Sequence, residues 1–556
     1  MNISPTRKQH IIVFILFVLI NIPNIIFVVL GQDSAVNTFT KQIAFFLFTL
    51  SLAILPLSFL KPKIYFGILL LLSPLLLIDI YILFLTKTQS TSMYYTSVLV
   101  TNLNESKELI LGNLGFFLLG IILLLSYLFL LFKLESKLIL NKIFKLIIGL
   151  MSIFMIAAIF IRDVKIANST KSSNGVFQTA ITYFTLKLDK THPLGSIHKV
   201  TDVIKGQQLK NTFDTNNKDF SYHSKVFNNE NKTIVLVIGE TARKNNFQLY
   251  GYSRKTNPKL SKIENLIVFE DFTTNSNFTN TSFSQIVSSV GPNNYQNLFY
   301  EKGLVSAFKE AGFNTYWITN QPYSPGSIYH LFSKEADFYK DVSNTFEMKS
   351  FDSKILPHFN SILNDNHKKR LIIIHSIGSH YRYNFRYPKK YSVFKPQLDG
   401  SISISGINPS QKELFVNAYD NSILYTDYFL SELITSLNKE NNQSYLMYIS
   451  DHGENLFDDK KELVLHGSIN PTKYEIEVPF MIWHSNNYNK KNANQLQSNK
   501  KKKVSSQIVF HTLSSLAGFK TKLHQNKNDL LSDSLKTGDR LFLKSDGSIM
   551  NIDNKN

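Results

Sequence analysis

The 556-residue chain contains no cysteine. Disulfides, thiolate metal sites and any enzyme that matures its nucleophile from cysteine are therefore excluded, and thiol usage says nothing about compartment. Acid is also in short supply, with 41 Asp and Glu against 60 Lys and Arg and a formal charge of +19. That balance suits nucleic acid, an anionic membrane surface or an acidic envelope polymer, and alone chooses none of them. No RNA- or DNA-binding motif is present. The Lys- and Asn-rich run at 486–503 reads as solvated loop, so nucleic acid is not expected as a partner.

Charge is almost absent from five apolar runs before residue 165, at about 11–31, 43–60, 64–86, 109–132 and 143–161. Each is near the roughly 20 residues that a helix needs to cross about 30 Å of hydrocarbon. A soluble helical core would show polar faces at helical period, and these runs are apolar all round. The first run is too long for a signal-peptide core and no small-residue cleavage site follows it. Arg7, Lys8, Lys61, Lys63, Lys133, Lys137, Lys142 and Lys145 flank one side, against Lys41, Lys87 and Lys107 on the other. The N-terminus is expected in the cytoplasm and everything after 162 outside. Asp79 is the one acidic residue at membrane depth, open to a functional role or to snorkelling at the outer interface.

The expected organisation is a five-helix transmembrane domain (1–165), a polar connector (166–231), a catalytic domain (232–526) and a polar tail (527–556). Within the connector, 176–186 is amphipathic enough to lie on a bilayer surface. From Thr233 onward, short buried-strand runs at 234–238, 371–374 and 445–449 alternate with helical stretches at 411–437 and 505–517. This pattern predicts an α/β domain with helices on both faces of a largely parallel sheet.

Ligands bind such sheets beyond the carboxyl ends of the strands, and the residues found there are polar in a coherent way. Glu240 and Thr241 follow the first strand run, His375 to His380 the second and Asp451 to Glu454 the third, while His466 lies in a later loop. Taken singly, Glu240-Thr241 could be a helix cap, Asp451-His452-Gly453 a turn, and His380 and His466 ordinary histidines. Together, these carboxylates and imidazoles form a donor set for zinc, with manganese also acceptable. Thr241 is expected at the N-terminus of the helix after the first strand, where free N–H groups favour phosphate oxygens. Metal coordination would activate an otherwise poor hydroxyl nucleophile.

The stretches VLVIGETAR (235–243), YGYSR (250–254), TNP (256–258), WITNQ (317–321), HSIGSH (375–380), RYP (386–388), YDNSILYTD (419–427), SDHGE (450–454), LHG (465–467) and VP (478–479) occur in this order. Together with the five runs they resemble the bacterial lipopolysaccharide phosphoethanolamine transferases, membrane-anchored enzymes with a sulfatase- or alkaline-phosphatase-like domain. The resemblance implies that Glu240, Thr241, Asp451 and His452 hold zinc and that Thr241 is the nucleophile. His380 and His466 would bind the phosphoryl group, help protonate the leaving group or hold a second metal. Asn320 and Gln321 would contact substrate. Thr101 and Glu105 match the family's headgroup-covering helix, although Ser97 stands where asparagine is expected.

The reaction implied is transfer of phosphoethanolamine from phosphatidylethanolamine, through a phosphoethanolamine-threonine intermediate, to lipopolysaccharide on lipid A or a core sugar. A monomer in the bacterial inner membrane, with its catalytic domain in the periplasm, would perform it. The missing cysteine leans toward the core-sugar branch, because several lipid A-modifying members are stapled by disulfides. A lipoteichoic-acid-type synthase moving glycerol phosphate and a non-catalytic binder of envelope polymers are the alternatives.

Overall fold

The computed structural model describes residues 5–30, 39–86, 88–101, 103–169, 175–321, 327–344, 349–400, 407–440, 442–460 and 462–554. The chain divides into two compact units, Met1–Leu99 with Asn113–Gly206, and Val100–Gly112 with Gln207–Asn556.

The first unit is helical. It contains α1 (Pro5–Ile20), α2 (Ile22–Leu30), α3 (Phe39–Ile54), α4 (Pro62–Leu70), α5 (Ser73–Thr86), α6 (Ser92–Val100, its last residue grouped with the second unit), α8 (Leu114–Lys133), α9 (Lys142–Ser169), α10 (Val176–Asp189) and the first part of α11 (Leu194–Asn211). Between α6 and α8, α7 (Leu103–Gly112) belongs to the second unit. Among the described residues three helical stretches are long and apolar enough to cross a membrane, or up to five if each bent pair is one span.

Two of the five expected runs are thus broken, by 59° between α1 and α2 and by 63° between α4 and α5. Pro23 and Pro74 stand one residue inside the second member of each pair; proline lacks the amide proton and its ring clashes with the preceding turn. At each break a side chain takes up a backbone carbonyl. Asn21 Nδ2 donates to Phe17 O at 2.8 Å, and Ser73 Oγ to Leu70 O at 2.7 Å. Along α8, Leu118, Leu119, Ile121, Ile122 and Leu125 point outward and exposed, an arrangement that only an apolar solvent leaves without cost. The amphipathic stretch forms α10, which rests on α9 through Phe184 against Phe160 and a Lys187–Asp163 ion pair.

The second unit is built on a seven-stranded sheet. In chain order its strands are β1 (Lys232–Gly239), β2 (Leu266–Val268), β3 (Asn314–Thr319), β4 (Phe338–Asp341), β5 (Arg370–His375), β6 (Gln443–Ser450) and β7 (Phe480–His484), and in space the order is β2-β7-β6-β1-β5-β3-β4. The five strands from β6 to β4 are mutually parallel, whereas β7 is antiparallel to both its neighbours. The sheet is therefore mixed at one edge.

Both faces are buried, so β1 reads as a continuous apolar run. Ile234, Leu236 and Ile238 enter one core with the helix at Ile508–Ala517, while Val235 and Val237 enter the other with the long helix at Lys412–Asn438. Each fully buried Ile, Leu or Val contributes about 1.5–3 kcal/mol.

Two stretches that sequence composition leaves as loop or tail are structured. Lys490–Asn499 is a helix capped by the Asn489 side chain, with Ala493 and Leu496 buried. The C-terminal residues form a hairpin, Leu541–Leu543 with Ile549–Asn551, in which Arg540 pairs with Asp271 and Asp553.

Candidate metal and phosphoryl site

Three parallel strands end level with one another. Ile238 of β1 lies beside His375 of β5 and Ile449 of β6, and Gly239 beside Ser450. The residues that follow each strand therefore meet at one rim. The loop after β5 lies against the backbone at Glu240, where Ser379 N donates to Glu240 O at 3.0 Å. Gly378 allows this approach, with φ of 51° and an added Cβ only 2.7 Å from the Glu240 backbone.

Thr241 is buried with φ of 63°, a left-handed conformation that is a genuine outlier for a β-branched residue. The expected helix N-terminus is absent here: a three-residue 3-10 turn, Lys244–Asn246, follows instead. The donors that hold the corner come from elsewhere in the fold. Thr241 N donates to Asp451 Oδ1 at 3.0 Å and Ala242 N to Ser450 Oγ at 2.8 Å. The Tyr419 hydroxyl, carried by α13 (Lys412–Asn438), donates to Thr241 O at 2.7 Å and accepts from Arg243 N at 2.8 Å. Strain of about 1–3 kcal/mol at such a corner persists only where its surroundings over-determine it.

Glu240, Asp451 and His452 converge on the Thr241 hydroxyl. Thr241 Oγ1 donates to Glu240 Oε1 at 3.0 Å, and His452 Nε2 lies 3.4 Å from Glu240 Oε1 and 3.3 Å from Asp451 Oδ2. All four residues are buried. Asp451 Oδ2 accepts no hydrogen bond, and one ligand atom from each of Glu240, Asp451 and His452 lies within 4.8 Å of the others. Two carboxylates, an imidazole and a hydroxyl, one oxygen left unsatisfied, fit a divalent ion.

The electrostatics agree with that fit. Burial, then the Glu240 charge, push Asp451 up to about 8. Burial works against protonation of His452, yet the facing Asp451 and Glu240 charges lift it to about 10. Burial would also raise Glu240, but the hydrogen bond and charge of His452 hold it well below the usual carboxylate range. Without a cation the cluster keeps protons that a metal would displace.

A second group adjoins the first. His466 Nδ1 lies 2.8 Å from Glu454 Oε2, the Tyr383 hydroxyl donates to Glu454 Oε1 at 2.6 Å, and the His466 and His452 rings are 3.9 Å apart. Burial raises Glu454 to about 8, while burial and the His452 charge drive His466 well down. His380 Nδ1 donates to Tyr381 O at 2.7 Å, and its charge is felt by Glu240, Glu454 and His466.

Of the remaining candidates, Gln321 Nε2 donates to Glu240 Oε2 at 3.2 Å and to Ser376 O at 3.0 Å. Asn320 turns elsewhere. Its amide donates to Asp352 Oδ1 and accepts from Ser350 Oγ, and Asp352 in turn accepts from the N–H groups of Ile377 and Gly378. Asn320 thus supports the loop that carries His380. Thr101 is half-buried just before α7, and the Glu105 side chain lies outside the described residues.

Sequence reasoning missed two residues. Thr279, at the start of α12 (Thr279–Ile286), places Oγ1 3.1 Å from Glu240 Oε1 and 3.2 Å from His452 Nε2. Its one local signal was a glycosylation-like triplet. Glu454 stood in SDHGE without an assigned role.

Residues 232–519 match the sulfatase family. The chain is 32% identical over 299 residues to the phosphoethanolamine transferase EptC of Escherichia coli K12, covering 52% of this chain and 51% of that protein. It is 30% identical over 295 residues to EptA of Helicobacter pylori, covering 51% and 53%. The chain thus spans about half the length of the curated relatives it matches. Among solved structures, the periplasmic domain of the E. coli EptC in complex with Zn superposes with a TM-score of 0.53 at 28% identity, covering 60% of this chain and 95% of that one. The Neisseria meningitidis integral membrane protein EptA superposes with a TM-score of 0.72 over 93% of this chain and 97% of that one; at 20% identity it establishes the fold alone. The resemblance to phosphoethanolamine transferases is borne out by these relatives.

Proposed function

Because the chain belongs to the sulfatase family, we propose that it is an inner-membrane enzyme transferring phosphoethanolamine from phosphatidylethanolamine to lipopolysaccharide on the periplasmic side, with Thr241 as nucleophile. The observation that carries this reading is the buried convergence of Glu240, Asp451 and His452 on the Thr241 hydroxyl. Relatives named phosphoethanolamine transferases, and apolar helices able to hold the chain beside its lipid donor, support it.

Zinc, or manganese, held by Glu240, Thr241, Asp451 and His452 would supply Lewis-acid stabilisation of charge on oxygen. The chain's own groups do the rest. Glu240 Oε1 accepts the hydrogen bond of the Thr241 hydroxyl, orients its oxygen for attack on phosphorus and takes the hydroxyl proton as the Thr241 O–P bond forms. Formation of the Thr241 O–P bond expels diacylglycerol, whose oxygen needs a proton; His380, and His466 relaying the proton held by Glu454, border the site and are the groups proposed to deliver it. The acceptor hydroxyl or phosphate then attacks the phosphoethanolamine-threonine and gives its proton to the group that protonated diacylglycerol, while the Thr241 O–P bond breaks and the Thr241 oxygen takes its proton back from Glu240. Gln321 steadies Glu240, and Thr101 with Glu105 would contact the headgroup.

Full-length protein given phosphatidylethanolamine should gain one phosphoethanolamine on Thr241 by intact mass and peptide mapping. A glycerol phosphate adduct there, or a Thr241→Ala protein that still modifies lipopolysaccharide, refutes the reading. Mass spectrometry of lipopolysaccharide from cells with and without the chain then locates the acceptor on lipid A or on the core.

A further inference from the structure

The catalytic unit carries a basic groove that the proposed chemistry does not use. It has a volume of about 560 Å³ and runs along the edge strand β2, between Leu266 and Val268 of that strand, Lys244 and Tyr250 on one side, and Gln497 and Lys500 on the other. A second hollow of about 390 Å³ shares Lys244 and Tyr250 with it. Both volumes fall within the range of ordinary ligand pockets, roughly 300–1,000 Å³. Lys244 is three residues beyond Thr241, so its Cα is within about 11 Å of the nucleophile's. The Tyr250 hydroxyl both donates to Phe480 O and accepts from Phe480 N at 2.9 Å, which fixes its ring at the groove.

Lys500 opens a run of four lysines, Lys500 to Lys503, in the stretch that composition alone assigns to solvated loop. The fold holds that run in one place. Asn499 Nδ2 donates to Leu530 O at 2.8 Å, Lys502 N to Asn499 O at 3.0 Å and Glu270 N to Lys500 O at 2.8 Å. Beyond the run, Val504 N donates to Asp271 O at 3.1 Å, and Val504 and Ser505 pair with Phe272 and Thr273. The four side chains are exposed or half-buried. Among the described residues no hydrogen bond or ion pair holds their ammonium groups, although the Lys503 charge reaches Asp553. Lys244, by contrast, donates to Glu270 O at 2.8 Å and stands over the Tyr250 ring. Glu270 is the one acid among the residues lining the groove.

We infer that this groove receives the phosphorylated saccharide of the acceptor, with the lysines from Lys500 onward drawing its phosphate groups and the fixed Tyr250 ring meeting a sugar face. The inference rests on the proposed transferase reading and names where that reaction's second substrate is held. Four ammonium groups free of ion pairs, beside a single carboxylate, complement a polyanion. Aromatic and aliphatic walls with a few polar groups are what a ligand pocket needs to orient a small molecule. An anionic bilayer also attracts lysines, but a flat surface leaves a concave groove unfilled and gives Tyr250 nothing to meet.

The test uses full-length protein in detergent micelles and two double variants of equal charge. Lys500→Gln/Lys501→Gln lies at the groove, and Lys490→Gln/Lys491→Gln at the other end of the same helix, about 15 Å away. Calorimetry reads binding of the phosphorylated oligosaccharide of lipopolysaccharide, freed of its acyl chains. The groove variant is expected to bind it about fivefold more weakly, and the control within about twofold of the parent. The acceptor KM is expected to follow the same pattern, while phosphoethanolamine-Thr241 forms from phosphatidylethanolamine at the parental rate. Parental affinity in the groove variant, equal losses in both variants, or an effect that persists with oligosaccharide stripped of phosphate overturns the inference. So does a groove variant that loses binding to phosphatidylglycerol vesicles but keeps its oligosaccharide affinity, which assigns the lysines to a membrane surface. The binding measurement needs no turnover, so a parent protein that forms no Thr241 adduct refutes the transferase reading and is told apart from a failure of the groove.

Discussion

Asp451 at about 8 and His452 at about 10 both hold protons near neutrality, and a metal binds only the deprotonated donors. Zinc uptake by the full-length protein should therefore release about two protons near neutral pH. Affinity should rise as pH climbs through 8 toward 10, because ever less proton displacement opposes binding. Calorimetry in two buffers of different ionisation enthalpy reads this directly, and identical heats in both would remove Asp451 and His452 as the ligands. These residues were legible in the sequence because each stands immediately after a buried strand. Thr279 was not: its helix follows a separate loop, and only folding brings its hydroxyl beside Glu240 and His452.

Among elements, the loop after β5 depends on Gly378, where both φ of 51° and the 2.7 Å approach to Glu240 exclude a side chain. Gly378→Ala should cost about 1–3 kcal/mol of stability from the backbone conformation alone. Because the displaced loop carries Ser376 and His380, kcat should fall more than KM rises. Thermal unfolding with steady-state kinetics checks this, and wild-type values in both would show that the loop relaxes freely. Strands β1, β5 and β6 were legible as runs of β-branched and large apolar residues buried on both faces. The Lys490–Asn499 helix was not, since its lysines and asparagines suggest solvent while Ala493 and Leu496 anchor it by tertiary burial. The breaks after α1 and α4 were written in Pro23 and Pro74, but the evenness of the apolar runs concealed them.

For the molecule as a whole, the +19 charge acts at long range where pairs in the site do not. If the acceptor is an anionic lipopolysaccharide, its apparent KM should rise a few-fold as salt moves from about 50 to 300 mM, since screening shortens the reach of surface charge to within about 10 Å, while kcat stays constant. A salt-independent KM would mean that the excess of lysine serves something other than acceptor capture. The level ending of β1, β5 and β6 has its own consequence. Side chains along a strand alternate faces, so deleting one residue upstream of Gly239 would invert every buried position of β1 and rotate the nucleophile's approach away from its partners. Substitution within these strands is thus forgiving of identity, but the spacing between strand and rim is not, and variation in such proteins should accumulate as exchanges of residues inside the strands and as insertions only beyond the loops that bear Thr241, His380 and His452.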